Sequence, residues 1–380
     1  MNPDELRAWL RLSMTDGVGN QAARQLLAYF GSPQAVFEQT ESALCRVVTP
    51  QQAQALRTPP HALAVQCVRT HQWLAHPPDT HNHALWTLGD PRYPAELLQL
   101  AEPPLMIYVA GQTERTLGNA VAIVGSRNPT PQGAEIATQF GEALCEAGLC
   151  VVSGLALGVD GAAHTGALRG GTTSTHWHTV AVVGTGLDRV YPSKHQMLAQ
   201  HIASQGLLMS EYHLGTAPLA HHFPKRNRLI AALGLGTLVV EAALKSGSLI
   251  TAKMALELNR EVLAIPGSIY ATQSHGCHAI IRQGAKLVEK AQDILEELQL
   301  APEQQINLCI EALDGENDLR AHSAKHPLLT HMGFAPVTLD ALQARCGLDT
   351  ATLQAQLLTL ELDGSIGRLP GGLFQRVAAA

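Results

Sequence analysis

Six short runs of branched apolar residues, spaced widely enough for a helix between neighbours, constrain this chain more than any other feature. The first, Val121-Ala122-Ile123-Val124, stops at Gly125-Ser126 and delivers Arg127 just before Thr130-Pro131. An apolar run bounded by Gly, then Thr as N-cap with Pro at the first helical position, predicts a buried parallel strand feeding a helix. Similar runs recur at residues 149–154, 180–184, 207–210, 237–241 and 262–266. Alternating strand and helix signals predict an α/β fold, a doubly wound, mostly parallel Rossmann-like sheet with helices on both faces.

The polar residues that follow these runs carry the functional signal. They are Ser126-Arg127, Ser153-Gly154, Asp188-Arg189 with Lys194, Phe223-Pro224-Lys225-Arg226-Asn227-Arg228, and Lys245-Ser246-Gly247-Ser248 with Thr251. The turns after parallel strands share the carboxyl edge, where ligands bind, so all are expected on one rim. Arg127 lies where the N–H groups opening the next helix favour an anion, and phosphate is the natural one. A carboxylate of the protein itself is the alternative partner. Arg226 and Arg228 open an apolar helix continuing as Leu229-Ile230-Ala231-Ala232-Leu233. Cations at a helix N-terminus call for an anion, and phosphate is again expected. A solvated face is the alternative for Lys225.

Lys245-Ser246-Gly247-Ser248 resembles a phosphate cradle in kind, with small residues, hydroxyls and a lysine together. It lacks the Gly-x-x-x-x-Gly-Lys-Ser/Thr spacing of a P-loop, and Ser246 or Ser248 acting as a plain helix cap is the alternative. Gly184-Thr185-Gly186 supplies only half of a dinucleotide fingerprint, with Arg189 at the third glycine, so nicotinamide chemistry is not expected.

A chain of 380 residues, 46% of them hydrophobic, accommodates two to four domains with a sizeable core. No run reaches the roughly eighteen apolar residues of a membrane span, and the first residues lack signal-peptide character. The expectation is a cytoplasmic protein without membrane contact. Seven scattered cysteines, without a Cys-x-x-Cys pair, predict reduced buried thiols. The paired histidines His81/His83, His176/His178 and His221/His222 have no acid or cysteine at metal spacing, so neither metal nor cofactor is expected. A formal net charge of −6 weighs against broad coating of duplex nucleic acid but leaves room for a local basic groove.

In chain order, residues 1–60 read as short helices, with Gly17-Val18-Gly19 resembling the hairpin of a helix-hairpin-helix module; a plain packing turn explains the glycines equally. Residues 61–117 read as a connecting segment with an extra strand and turns, in which Trp86 and Tyr93 are expected to pack in the core, with stacking on bases as the alternative. The sheet domain covers 118–300; His164 opens one of its helices as a candidate general base, but with no nucleophile beside it a structural or phosphate-adjacent role is expected. Residues 301–330 form a polar linker. Residues 331–380 read as a winged helix, with Thr338 and Asp349 as caps and a closing hairpin. Its second helix, within residues 349–363, has three acids and no Lys or Arg. A packing or protein-interaction role is expected there rather than duplex binding.

These motifs, together with Gly158-Val159-Asp160, Ala163-His164, Tyr191-Pro192, Ser210-Glu211-Tyr212, Val240-Glu241-Ala242, Leu249-Ile250-Thr251-Ala252 and Ile265-Pro266-Gly267, resemble the DNA-processing protein A (DprA, Smf) family. The resemblance spans most of 86–290 in the family's order, and a SAM-like or helix-hairpin-helix-like N-terminal module and a C-terminal winged helix fit it too. It implies an extended Rossmann-like fold, a homodimer, and binding and protection of single-stranded DNA (ssDNA). It further implies loading of RecA onto that DNA in natural transformation, without catalysis. Carried over residue by residue, the implied DNA contacts are Ser126, Arg127, Lys225, Arg226, Asn227, Arg228, Lys245, Ser246, Gly247, Ser248 and Thr251. The chain departs from the family pattern in a His- and Trp-containing insert at 172–179 and in Ala232-Leu233-Gly234.

The enzymatic alternative is a nucleotide-cleaving Rossmann protein of the lysine-decarboxylase-like type, using Arg127 for a 5′-phosphate and Glu241 for the sugar. Such enzymes carry Pro-Gly-Gly-x-Gly-Thr shortly before a Glu. Here Gly234-Leu235-Gly236-Thr237 precedes Glu241 without the Pro-Gly-Gly opening. A winged-helix transcription factor is disfavoured by the acidic second helix.

Overall fold

The computed structural model describes residues 1–171, 175–300, 327–333, 336–369 and 371–376. Most of the 301–330 linker, and residues 172–174 of the insert, lie outside them. Six helices open the chain: α1 (Pro3–Met14), α2 (Asn20–Phe30), α3 (Pro33–Phe37), α4 (Glu41–Leu44), α5 (Pro50–Arg57) and α6 (Leu63–Ala75). Short side-chain caps start several of them, as where Thr49 and Gln52 cap each other's backbone around Pro50. Their apolar faces enclose Trp9, Leu10, Leu12, Leu26, Leu44 and Leu56. Helix α6 belongs to this body rather than to the connecting segment.

The strands are β1 (Asn82–Thr87), β2 (Met106–Gly111), β3 (Ala120–Val124), β4 (Cys150–Ser153), β5 (Thr179–Val182), β6 (Leu207–Ser210), β7 (Gly236–Val239), β8 (Glu261–Ala264) and β9 (Lys286–Leu287). They form one sheet in the order β1-β2-β6-β5-β4-β3-β7-β8-β9. Pairing is parallel from β6 to β9, and β1 and β2 extend the β6 edge antiparallel. The connecting segment thus supplies two strands where one was expected. The chain enters at β3, builds outward to β6, then crosses back to β7, so strand order reverses between β3 and β7. Val121 pairs there with Gly236 and Val124 with Val239. Ligands bind at the carboxyl ends beside such a reversal.

Between the strands run α7 (Pro131–Glu146), α8 (Val159–Arg169), α9 (Gln196–Gln205), α10 (His222–Leu233), α11 (Ser248–Glu257), α12 (His275–Arg282) and α13 (Ala291–Glu297). The strict alternation of β3 sorts them into layers. Val121 and Ile123 face Ala137, Phe140 and Leu144 of α7 and Ala163 of α8, whereas Ala122 and Val124 face Leu229, Ile230 and Leu233 of α10 and Ala252 of α11. Both faces of a parallel sheet are therefore dry, which is why its strands read as continuous apolar runs. Ala232 and Leu233, where the chain departs from the family pattern, are inside this core. From the insert, Trp177 is buried, donating its indole N–H to the Gln112 carbonyl at 2.7 Å.

The C-terminal body comprises α14 (Pro327–Met332), β10 (Val337–Thr338), α15 (Leu339–Cys346), α16 (Thr350–Leu362), β11 (Ile366–Leu369) and β12 (Leu373–Arg376). Thr338 caps α15 and Asp349 caps α16, accepting from the Ala351 and Thr352 N–H groups. Leu342, Leu353, Leu357 and Phe374 form its core, and the strands pair as β10-β12-β11. This winged helix meets the sheet domain through its hairpin, where the Gln375 amide donates to Gln132 of α7 at 2.8 Å. Among the described residues no helix is long and apolar enough to cross a membrane.

Candidate nucleic-acid interface

The loop from β3 into α7 leaves the end of a fully buried strand, so its backbone position is fixed by the core. The Ser126 hydroxyl accepts from the Asn128 N–H at 3.1 Å, and the Ser126 carbonyl accepts from Val159 N–H at 3.1 Å, tying the loop to α8. Arg127 projects from this turn into solvent. Its guanidinium lies over the Phe223 ring, 5.4 Å from the centroid. Among the described residues it forms no salt bridge.

Phe223 is in the first turn of α10, which sits across the ends of β4 and β5. His222 Nδ1–H donates to the Gly184 carbonyl at 3.2 Å, just beyond β5. The Tyr191 ring stands 5.6 Å from Phe223 and is 45% exposed. Arg127, Phe223 and Tyr191 thus form a row of flat groups along the rim, the kind of surface on which unpaired bases stack. Lys225 is exposed and Asn227 half-buried beside it.

Arg226 turns inward. It is 3% exposed and donates to the carbonyl oxygens of Gly154, at 2.6 Å, and of Val182. The neighbouring Asp160 carboxylate accepts from the Gly154 and Ala156 N–H groups at 3.1 and 3.4 Å. Burial lowers the guanidinium's pKa and raises the carboxyl's, and each charge opposes the other's shift. Arg228 is paired with Glu211 at the end of β6, with side chains 15% and 6% exposed. Burial again raises the acid, against the pull of Arg228. Contrary to expectation, no external phosphate is needed to answer this cluster: Glu211 pairs with Arg228, and Arg226 is held by two carbonyls with Asp160 as the nearby opposite charge.

A second correction concerns the start of α7, which was expected to present free N–H groups. Thr130 caps the helix by accepting from Gly133 N–H at 2.9 Å. Its own N–H and hydroxyl donate to the Glu241 carboxylate at 2.9 and 2.5 Å. Glu241, the sugar ligand of the enzymatic alternative, directs both oxygens to this cap. After β7, Lys245 and Gly247 are exposed, whereas Ser248 and Thr251 are buried in the first turn of α11. The Ser246 and Ser248 hydroxyls are hydrogen-bonded to each other at 2.7 Å.

The structure thus brings Ser126, Arg127, Lys225, Asn227, Lys245, Ser246 and Gly247 to accessible positions at the carboxyl edge. It sets Arg226, Arg228, Ser248 and Thr251 beneath or behind them. His164 is sealed, its Nδ1 2.7 Å from the Thr179 hydroxyl, and burial pushes its pKa down to about 3, so it is a neutral structural group. Sequence reasoning passed over Asp160, Glu211 and Glu241 as charge partners and Phe223 and Tyr191 as a row. The acids right after strand ends, as in Ser210-Glu211 and Val240-Glu241, were the available signal.

The family model for DNA recombination-mediator protein A matches residues 84–299, and that for the DprA winged helix domain matches 318–372. Protein Smf of Escherichia coli is 39% identical over 309 residues, covering 79% of this chain and 78% of its own. The DNA processing protein DprA of Streptococcus pneumoniae is 44% identical over 214 residues, 56% of this chain and 74% of that protein. Its X-ray structure superposes with a TM-score of 0.65 at 34% identity, covering 78% of this chain and 98% of that one. The Helicobacter pylori DNA processing protein A, whose structure is described for its single-stranded DNA binding mode, superposes with a TM-score of 0.50 at 28% identity, covering 57% and 95%.

Proposed function

This chain belongs to the DNA recombination-mediator protein A family, and from that premise we propose that it binds single-stranded DNA along the carboxyl rim of its sheet. The single observation that carries this reading is Arg127, exposed, outside any salt bridge among the described residues, and held over an aromatic ring at the point where strand order reverses. Arg127, Lys225 and Lys245 face phosphates, with Ser126, Asn227, Ser246 and Gly247 supplying polar contacts. Arg226, Arg228, Ser248 and Thr251 hold the frame on which these sit. Phe223 and Tyr191 offer ring faces that a paired duplex cannot use, because its bases are already stacked. The strand preference follows from that.

The protein carries out no reaction on the strand in this reading. It protects incoming DNA and hands it to RecA in the cytoplasm during natural transformation, acting as a homodimer. The exposed side chains of Leu244, Ile250, Ile269 and Tyr270 support self-association through the β7 and β8 side of the sheet domain.

An electrophoretic shift comparing single-stranded with duplex DNA of equal length tests the reading. Preference for the single strand is expected, with a salt dependence that flattens by roughly 0.7 in log–log slope for each phosphate contact removed. Equal binding of both forms, or an unchanged slope for Arg127→Ala, refutes it. RecA filament formation on the coated strand, and light scattering for the dimer, test the two partners separately.

A further inference from the structure

In an open α/β sheet the crevice at the strand-order reversal, closed by the N-terminus of the first crossover helix, is where a nucleotide phosphate sits. Here that crevice lies between β3 and β7, and the helix is α7. Its N-cap residue is already engaged by an internal anion. The Thr130 N–H and hydroxyl donate to Glu241 at 2.9 and 2.5 Å, and the carboxylate is carried in on the second residue beyond β7. Glycine at position 133 makes the approach possible, because a Cβ built there would overlap the carboxyl group.

We infer that Glu241 is a specificity-determining residue: its carboxylate takes the place of a nucleotide phosphate at α7 and keeps free mononucleotides out of the crevice, leaving the rim to a continuous strand. The inference rests on the reading of the rim as a strand-binding surface and adds what that surface rejects. A terminal phosphate entering the crevice meets the Glu241 carboxylate with the Thr130 N–H and hydroxyl already given to it, and like charges brought together in a partly buried site are strongly unfavourable. A strand escapes this penalty because its phosphodiesters are held from outside, by Arg127 and Lys225 on one side and Lys245 on the other. Selectivity against the abundant monomers of the same polymer then comes from one internal acid and not from any shape that reads bases.

The test is calorimetric titration of the full chain with deoxyadenosine monophosphate, run for the wild type, Glu241→Ser and Glu241→Gln, with melting curves for each. The serine variant vacates the anion position and the glutamine variant keeps the volume while removing the charge. The expected result is no measurable binding to the wild type, with an affinity at least about tenfold above that limit in Glu241→Ser and about threefold in Glu241→Gln. Should Glu241→Ser fail to fold, the near-isosteric Glu241→Gln decides alone. Binding to the wild type, or a folded variant that binds no better, overturns the inference. Titration of the same proteins with a single-stranded oligonucleotide is read independently: its failure in the wild type removes the strand-binding reading, while the monomer titration still reports whether Glu241 guards the crevice.

Discussion

Gly154 and Arg226 occupy each other's space. The guanidinium donates to the Gly154 carbonyl at 2.6 Å, and a methyl group in place of the Gly154 hydrogen would fall within it. The Gly154 N–H is at the same time held by Asp160. One residue thus sits between a buried cation and a buried anion, and no side chain larger than hydrogen fits.

This geometry predicts a stability defect rather than a binding defect at position 226. Arg226→Ala leaves Asp160 buried without its counter-charge, at a cost of about 3–5 kcal/mol. Gly154→Ala forces the guanidinium aside and costs roughly 1–3 kcal/mol by overpacking. Urea unfolding followed by circular dichroism measures both. An Arg226→Ala protein as stable as the wild type, yet impaired on DNA, shows instead that Arg226 is a direct contact.

Position 127 behaves in the opposite way. Arg127→Ala removes an exposed side chain and changes stability by no more than about 0.5 kcal/mol, while affinity for single strands falls. Because the guanidinium lies over Phe223, the two residues act together. A double-mutant cycle with Phe223→Leu gives a coupling of about 0.5–1 kcal/mol in DNA binding, the size of an exposed cation–π contact. Strict additivity in that cycle shows that the ring does not orient the arginine.

These contrasting roles mark how far the sequence could be read. Val121-Ala122-Ile123-Val124 announces a buried strand because both faces of a parallel sheet are dry, and Thr130-Pro131, Thr338 and Asp349 announce helix starts through local capping chemistry. Both signals are short-range. Arg226 and Arg228 looked alike because the partners that separate them from Lys225 come from elsewhere: the Gly154 and Val182 carbonyls, Asp160 and Glu211 arrive through the crossovers. Burial of a cation is a tertiary fact, and no spacing within Lys225-Arg226-Asn227-Arg228 encodes it. The same holds for Glu241, whose partner Thr130 lies at the other side of the strand-order reversal.

The Arg228–Glu211 pair gives a further test of this kind. The pair is largely buried, and among the described residues Glu211 Oε1 and Arg228 Nη1 have no further partner. Glu211→Gln therefore strands a cation and costs about 3 kcal/mol, whereas the apolar replacement of both residues, Glu211→Leu with Arg228→Met, costs much less. Thermal melts of the single and double variants decide. A double variant less stable than the single one shows that the pair contributes more than the desolvation it incurs.

His213 predicts how stability responds to acid. It lies between the helical module and the sheet, with Nε2 3.2 Å from the Ser13 hydroxyl and Nδ1 3.2 Å from the Tyr108 hydroxyl. Ser13 already donates to the Leu10 carbonyl, so it accepts from Nε2–H, and Tyr108 donates to the bare Nδ1. A second ring proton would face the Tyr108 hydroxyl hydrogen. Burial brings the His213 pKa down to about 4, below the ordinary value of about 6.5 that it regains on unfolding. The unfolded chain therefore binds the proton first. The stabilisation is fully present above about pH 6.5 and is lost progressively as pH falls towards 4, by about 3 kcal/mol in all. His164, brought down to about 3 by burial, adds to the loss over the same range. The informative quantity is thus the difference between wild type and His213→Gln, measured by urea unfolding at a series of pH values. That difference shrinks steadily from pH 7 to pH 4 if His213 is held neutral, and a constant difference shows that its protonation is not linked to folding.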